Sequence, residues 1–114
     1  MNAHEKTFEG TELKYLLEIE SSGFNMETDY FEITLRRGEK ELKFKRDDLV
    51  AEPYTVVVDN ISIEKHHYYV CFDTAYFGPG PITAIVVALV PDSDFAAGTR
   101  KIVDKFLLTN VDEV

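Results

Sequence analysis

The sequence lacks the features that mark secreted and membrane-spanning proteins. Its single cysteine, Cys71, cannot close an internal disulfide, so stability must come from packing, and a reducing compartment is compatible. No apolar run approaches the ~20 residues that a membrane helix needs. The opening residues, MNAHEKTFEG, have neither the basic patch nor the apolar stretch of a secretory signal. We therefore expect a soluble protein with no signal peptide and no membrane partner.

Basic residues are scarce: 12 stand against 21 acidic ones, which gives a net charge of −9 and opposes nucleic acid as a partner. The segment RRGEKELKFKR is the exception, since it holds half of them: Arg36, Arg37, Lys40, Lys43, Lys45 and Arg46. Two acidic residues interrupt it, and Lys43 and Lys45 alternate with Leu42 and Phe44. This alternation favours the solvated face of a half-buried strand over an anion-binding patch.

Catalytic and metal-binding motifs are missing as well. The chain has no G-x-S-x-G, no P-loop and no dinucleotide fingerprint. His66 and His67 are adjacent, so on a strand they project to opposite faces and cannot chelate one ion together. His67 and Cys71 share a strand face but lie about 13 Å apart, too far for a nucleophile and its base. We predict a buried structural cysteine and a non-enzymatic protein without catalytic residues, cofactor or metal.

Period-two alternation is the dominant pattern that is present. It predicts strands over residues 13–19 and 31–35, separated by the turn-rich loop SSGFNMETD. The residues RGEK at 37–40 predict a hairpin connection to a third strand over 41–46. A single helical turn capped by an aspartate is expected at 47–50. With 114 residues, the chain has the length of one domain, 1–114, in which we expect 1–10 to be a flexible tail.

The second half continues in the same way. The β-branched run YTVVVDN and the aromatic run HHYYVCFDT predict strands, with the charged residues IEKH as a turn between or overlapping them. After the tight connection GPGP, the run PITAIVVALVP favours a central strand over a buried helix. The last segment, TRKIVDKFLLT, is compatible with a strand or a short helix, and the strand is favoured. About seven short strands indicate an all-β antiparallel sandwich or barrel, of which we expect the sandwich.

Two aspartates between the long apolar run and the last strand suggest a calcium loop, but the spacing does not fit one. Such a loop needs oxygen ligands at positions one, three and five, a glycine at six and a glutamate at twelve. Counting from Asp92 puts Ala96 at five, Ala97 at six and Val103 at twelve. The count therefore excludes this type of calcium site.

A structural turn explains the same segment better. We expect the aspartates to cap backbone amides, Phe95 to anchor the turn in the core, Gly98 to supply a permissive backbone and Arg100 to lie near an aspartate. A lost cap at Asp94 is expected to cost about 1 kcal/mol. The predicted structural turn consists of Pro91, Asp92, Asp94, Phe95, Gly98 and Arg100.

Tyrosines could form a ligand groove, because each offers a flat apolar face and a hydroxyl group. The alternative is cross-strand packing, which is the commoner role of tyrosines on strands. The residues concerned are Tyr15, Tyr30, Tyr54, Tyr68, Tyr69 and Tyr76.

The order of motifs along most of the chain resembles a family of small β-sandwich proteins encoded in prophages of gut bacteria. That family is akin to the immunoglobulin-like N-terminal domain of phage baseplate upper proteins. Ala97 and Ile102 stand where the family pattern has acidic residues. The segments that carry the resemblance are FEIT at 31–34, KRD at 45–47, YVCFDT at 69–74, GPG at 78–80 and, most distinctively, PDSDFAAGTRKIV at 91–103.

This resemblance implies an immunoglobulin-like sandwich and a phage or prophage structural module associated with a baseplate or tail. Such a module acts through protein–protein contacts with other phage structural proteins or with copies of itself, in the bacterial cytoplasm or the virion. No functional residues are carried over, because the matching motif is a structural one. The alternative function is a small ligand- or carbohydrate-binding β-sandwich module.

Overall fold

The computed structural model describes residues 7–114, most of which lie in strands. The prediction of an all-β chain is confirmed, and the last segment is a strand rather than a helix. Two 3₁₀ turns, Arg46–Asp48 and Thr74–Tyr76, are the helical elements in this part of the chain. The strands are β1 (Thr7–Phe8), β2 (Glu12–Leu17), β3 (Phe31–Arg37), β4 (Lys40–Lys45), β5 (Val50–Val58), β6 (Ile61–Asp73), β7 (Gly80–Pro91) and β8 (Thr99–Asp112).

The strands form two sheets. One has five strands in the order β1-β8-β7-β3-β4, and the other has three in the order β2-β6-β5. Every neighbouring pair is antiparallel except β1 and β8, which run parallel. The expectation of a purely antiparallel fold of about seven strands is therefore corrected to eight strands with one mixed sheet. No helix among the described residues has the length and apolar character that crossing a membrane requires.

The short strand β1 also corrects the predicted flexible tail. Thr7 and Phe8 pair with Val111 and Asp112, and Thr7 is buried with its hydroxyl 2.7 Å from that of Thr109. The parallel pairing explains the difference, because β8 leaves a free edge that the start of the chain can occupy. Residues 1–6 of the predicted tail lie outside the described part.

One core lies between the two sheets, built by the alternation that the sequence showed. In β7 every second residue from Ile82 to Val90 is buried, and the residues between them are half-buried on the other face. The five-stranded sheet adds Phe31, Ile33 and Leu35 from β3. From the three-stranded sheet, the core receives Leu17, Tyr68, Val70 and Phe72.

The connection between β6 and β7 wraps around Arg37. The Arg37 Nε donates to the Phe77 carbonyl at 2.7 Å, and Gly78 and Gly80 leave space for its side chain. A Cβ at Gly80 would lie 3.0 Å from the Arg37 Cδ, and the φ of +124° at this position also favours glycine. The glycines of the GPG motif therefore serve packing against an arginine.

Candidate protein-interaction surface

The hairpin formed by β5 and β6 extends beyond the two-sheet body. We call residues 54–65 the hairpin arm; all of them are exposed except the half-buried Val56. Their pairing continues without a register shift from Tyr54 opposite Lys65 to Val58 opposite Ile61. The Cα radius of gyration is 16.3 Å, against about 13 Å for a compact domain of this length. The arm is thus a two-stranded ribbon in contact with water on both faces.

A two-residue turn at Asp59 and Asn60 closes the arm. Both residues have positive φ, 52° and 64°, as a type I′ turn requires. Asparagine and aspartate tolerate this conformation better than other non-glycine residues. The expectation that IEKH forms the turn is therefore wrong: these residues lie inside β6.

One face of the arm is apolar. The side chains of Val56, Val58, Ile61 and Ile63 share this face, because they are directly opposed pairs in the ladder. Three of them are more than a third exposed, with Ile61 at 63%. Val57 emerges from the opposite face and is 66% exposed. Such a concentration of exposed β-branched side chains is the signature of a contact surface rather than of a solvated ribbon.

The outer edge of the arm has free backbone groups. The two-residue turn makes Val58 and Ile61 a hydrogen-bonded pair, in which both backbone groups of Val58 point towards β6. Along β5, residues whose N–H points towards β6 then alternate with residues whose N–H points away from it. The amides of Thr55 and Val57 consequently point away from β6, off the edge of the sheet. Pro53 occupies the next outward position, where its missing N–H removes no bond from the ladder. The edge thus presents a short unpaired stretch that ends at a proline.

Ring stacking and an ion pair hold the base of the arm. The Tyr54 ring stacks on the His67 ring with 4.1 Å between centroids. Beside them, the Lys14 Nζ on β2 lies 2.5 Å from the Glu52 Oε1. Both contacts lie on the outer face of the three-stranded sheet, so they tie the arm's first residues to the body.

Glu27 fastens the inner face of the arm's base. Strand β2 ends at Leu17, opposite Tyr68, so the next outward amide of β6, that of His66, has no strand partner. The Glu27 Oε1 accepts from this amide at 2.6 Å. Its Oε2 lies 3.0 Å from the His66 Nδ1 and 2.8 Å from the Tyr68 hydroxyl. A carboxylate from the loop before β3 therefore replaces the missing strand.

These contacts shift two pKa values. Partial burial acts to raise the pKa of Glu27, but the hydrogen bonds from His66 and Tyr68 outweigh it, and the pKa lies below its usual value. Burial together with the bond to Glu27 raises the pKa of Tyr68 to about 12. Glu27 is therefore ionised and Tyr68 neutral at neutral pH, which is the combination that this hydrogen bond needs.

Basic residues of the segment 36–46 contact neighbouring carboxylates and backbone carbonyls. Arg36 pairs with Glu41 at 2.9 Å and Lys43 with Glu32 at 2.9 Å. Arg46 donates to the backbone carbonyls of Met26 and Asp29. These contacts engage Arg36, Lys43 and Arg46 within the fold.

The residues from Pro91 to Arg100 form one loop between β7 and β8. The Asp92 Oδ1 accepts from the Asp94 amide at 3.0 Å, and its Oδ2 lies 3.2 Å from the Arg100 Nε. The backbone closes through Asp92 N to Gly98 O at 2.9 Å, and Gly98 has a φ of +77°. Asp92 is therefore the centre of this turn.

Two expectations for this loop need correction. Phe95 is 48% exposed and does not anchor the turn in the core, because Val90 already fills the buried position at the end of β7. Asp94 is exposed and contributes its amide, whereas the capping carboxylate is that of Asp92. We therefore expect the stability cost on removal of the Asp92 side chain rather than the Asp94 side chain.

Cys71 is exposed, not buried as predicted. Its neighbours Val70 and Phe72 take the core positions of β6, so alternation turns Cys71 to the outer face, which no other element of residues 7–114 covers. His66 and His67 likewise face opposite sides, one towards Glu27 and the other towards Tyr54. Within residues 7–114, no three His, Cys, Asp or Glu side chains are grouped as metal ligands.

The tyrosines do not line one groove. Tyr68 is buried against Phe31, and Tyr15 packs on Phe106 between the sheets. The exposed rings lie apart: Tyr30 is near Lys45, at one end of β4, and Tyr76 is near Lys40, at the other. Tyr54 and Tyr69 lie on the other sheet. This distribution fits packing better than one shared groove.

The arm itself was not identified as a site from the sequence. The run YTVVV predicted a strand correctly, but a β-branched run looks the same whether it is covered or exposed. The available signal was the pair Asp59-Asn60, which places a tight turn directly after the run. Nothing in the loop that contains Glu27 indicated its contact with His66.

Comparison with known proteins adds no further constraint: no protein-family model, no curated protein and no solved structure matches this chain. The hairpin arm is therefore the feature from which a function can be inferred.

Proposed function

We propose that this protein is a non-enzymatic assembly module that binds other protein chains through the hairpin arm. The single observation that carries the proposal is the exposure of a continuous apolar face, formed by Val56, Val58, Ile61 and Ile63, on a ribbon with water on both sides. An isolated two-stranded ribbon is of marginal stability in water. An arm with these side chains is best stabilised when a partner covers it.

The resemblance to small prophage β-sandwich proteins supplies the context of the proposal: a baseplate- or tail-associated structural component of a phage or prophage with an immunoglobulin-like sandwich. Two sheets around one core are compatible with that fold class. Assemblies of this kind need short recognition elements that reach from one subunit to the next. A projecting hairpin with a free edge offers backbone hydrogen bonds as well as apolar contact.

The alternative, a small ligand- or carbohydrate-binding module, has weaker support. Such modules gather exposed aromatic rings around a cleft. Here the exposed tyrosines Tyr30, Tyr54 and Tyr76 are each paired with a different neighbouring side chain. The distribution of aromatic residues therefore favours the assembly function.

Site-specific photo-crosslinking in the source cells tests the proposal. A photoreactive phenylalanine analogue replaces Val58 in the arm or Phe95 in the loop before β8; both positions are 48% exposed, so the two variants are matched. We expect the arm variant to give discrete crosslinked species, which mass spectrometry identifies as this chain or a tail or baseplate component. Equal, diffuse labelling from both positions contradicts the proposal.

A further inference from the structure

We propose that the free edge of β5 pairs antiparallel with the β5 edge of a second copy of this chain, around a two-fold axis at Val56. This inference rests on the proposed function, because it names the partner of the same arm. It follows from three observations: the charges along the sheet edges, the scarcity of charge from Pro53 to Ile63 and the register that the free amides allow.

The sheet edges of residues 7–114 differ in how they are protected against pairing. Strand β1 is only two residues long and covers only the end of β8, whose remaining edge carries Arg100, Lys101, Asp104 and Lys105. Strand β2 carries Glu12 and Lys14, and β4 carries Lys40, Glu41, Lys43 and Lys45. Short length and charges are the devices by which natural sheets block edge-to-edge pairing.

Strand β5 has these devices only at its base. Glu52 and Pro53 protect the part nearest the body, whereas Tyr54 to Val58 contains no charge, no proline and no bulge. On the other edge of the arm, β6 carries Glu64 and Lys65. The unprotected stretch is therefore confined to one edge of the arm, and it coincides with the free amides of Thr55 and Val57.

Charge restricts where two copies of this chain can meet. The chain carries a net charge of −9, so two copies repel each other over most of their surfaces. From Pro53 to Ile63, Asp59 is the single charged residue. The arm is thus an element through which two copies of this acidic chain can approach at low electrostatic cost.

Among the registers that use the free amides, we infer the one in which Thr55 and Val57 bond to each other, because the other two bring Pro53 or the turn residue Asp59 into the hydrogen-bonded pairs. Thr55 of one copy exchanges both of its backbone bonds with Val57 of the other, and the two-fold axis repeats this pair. Val56 then lies opposite the second Val56, in a non-hydrogen-bonded pair, and Tyr54 lies opposite Val58. Asp59 falls opposite Pro53, so no like charges meet. The apolar faces of both arms merge into one surface of β-branched pairs.

Engineered cysteines test this register. In a non-hydrogen-bonded antiparallel pair the Cα atoms are about 4.5 Å apart, within the range that a disulfide spans. The variants are Val56→Cys and, as the matched control, Val58→Cys, both with Cys71→Ser because Cys71 is exposed. Under mild oxidation we expect Val56→Cys to form a disulfide-linked dimer several times faster than Val58→Cys. Equal rates for the two variants, or no dimer from either, overturn the proposal.

Edge variants separate backbone pairing from apolar contact. Thr55→Pro removes an outward N–H without removing a bond to β6, as Pro53 already does two residues earlier. Thr55→Val keeps the amide and is the control. Sedimentation equilibrium is expected to show dimerisation weakened at least about tenfold in Thr55→Pro, the effect of the two hydrogen bonds lost, one in each copy, and little change in Thr55→Val. Equal dimer affinity in both variants contradicts pairing through the edge.

The two proposals can fail separately. If the chain is monomeric at every concentration but its arm crosslinks to another protein in cells, pairing with a second copy is wrong and the assembly function stands. If neither a dimer nor an arm-specific crosslink is found, both are wrong.

Discussion

The hairpins β3–β4 and β5–β6 both close with a two-residue turn, but their surroundings differ. In β3–β4, the inner side chains Leu42 and Phe44 pack on the core, and charged side chains cover the outer face. In β5–β6 beyond Pro53, neither face is covered, yet five of the side chains are valines or isoleucines: Val56, Val57, Val58, Ile61 and Ile63. The comparison shows that alternation and β-branched residues specify a strand, whereas charge at the edge decides whether that strand is closed to other chains.

Truncating one apolar side chain in each hairpin gives the largest expected contrast. Leu35 in β3 is fully buried, whereas Val57 in β5 is 66% exposed. We expect Leu35→Ala to lower the free energy of unfolding by about 2–5 kcal/mol, because it leaves a cavity. Val57→Ala should change it by less than about 0.5 kcal/mol, as for surface positions generally. Urea denaturation of dilute monomer measures both; equal losses would show that the arm belongs to the cooperative core.

Removing the Glu27 contact should loosen the arm more than the body. Glu27→Gln leaves donors of His66 and Tyr68 without their carboxylate, at an expected cost of about 1–2 kcal/mol. Glu64→Gln is the matched control, because Glu64 is exposed and its oxygen lies 3.4 Å from the His66 Nε2. Hydrogen exchange should accelerate in the arm of Glu27→Gln while β7 stays protected. Uniform acceleration in both strands would contradict a local role.

The same contact predicts a dependence on pH. The pKa of Glu27 is lower in the folded protein than its ordinary value of 4.5, so the folded state favours the ionised carboxylate. Its stabilising contribution is therefore complete above pH 4.5 and is lost as the pH falls through the folded pKa. Hydrogen exchange of the arm amides, corrected for intrinsic rates, should accelerate in the wild type as the pH falls below 4.5, and much less in Glu27→Gln.

The smallest effect is expected in the loop between β7 and β8. This loop is held by hydrogen bonds among its own residues, whereas the arm has an unpaired edge. Asp92→Ala removes the acceptor for the Asp94 amide and the partner of Arg100, and should cost about 1 kcal/mol. Asp94→Ala, at an exposed side chain in the same loop, should cost clearly less. Thermal melts of the two variants provide the measurement, and the reverse order would mean that Asp94 is the cap.

Much of the fold could be predicted because the alternation of apolar residues along a strand indicates which of its faces is buried. In FEITL and in ITAIVVALV, the buried residues recur at every second position. In YVCF of β6, by contrast, residues on both faces are apolar, so the sequence gives no indication that Cys71 faces outward. The parallel pairing of β1 with β8 joins residues more than a hundred positions apart, and local patterns carry no information about it.

The candidate surface was harder to predict than the fold for a physical reason. The exposure of the arm depends on where β2 ends along β6, not on the residues of the arm. In the same way, the role of Glu27 depends on the amide that β2 leaves free at His66. Such features are properties of the assembled sheets, and they become visible once the register of every strand is known.

Hydrogen exchange at two edges, measured over a series of protein concentrations, tests the central claim most directly. Thr55 and Val57 report on the free edge of β5, and the outward amide of Lys43 reports on the charged edge of β4. We predict that exchange at Thr55 and Val57 slows as the concentration rises, while exchange at Lys43 stays constant. Exchange that is independent of concentration at both edges would contradict the pairing of two copies through the arm.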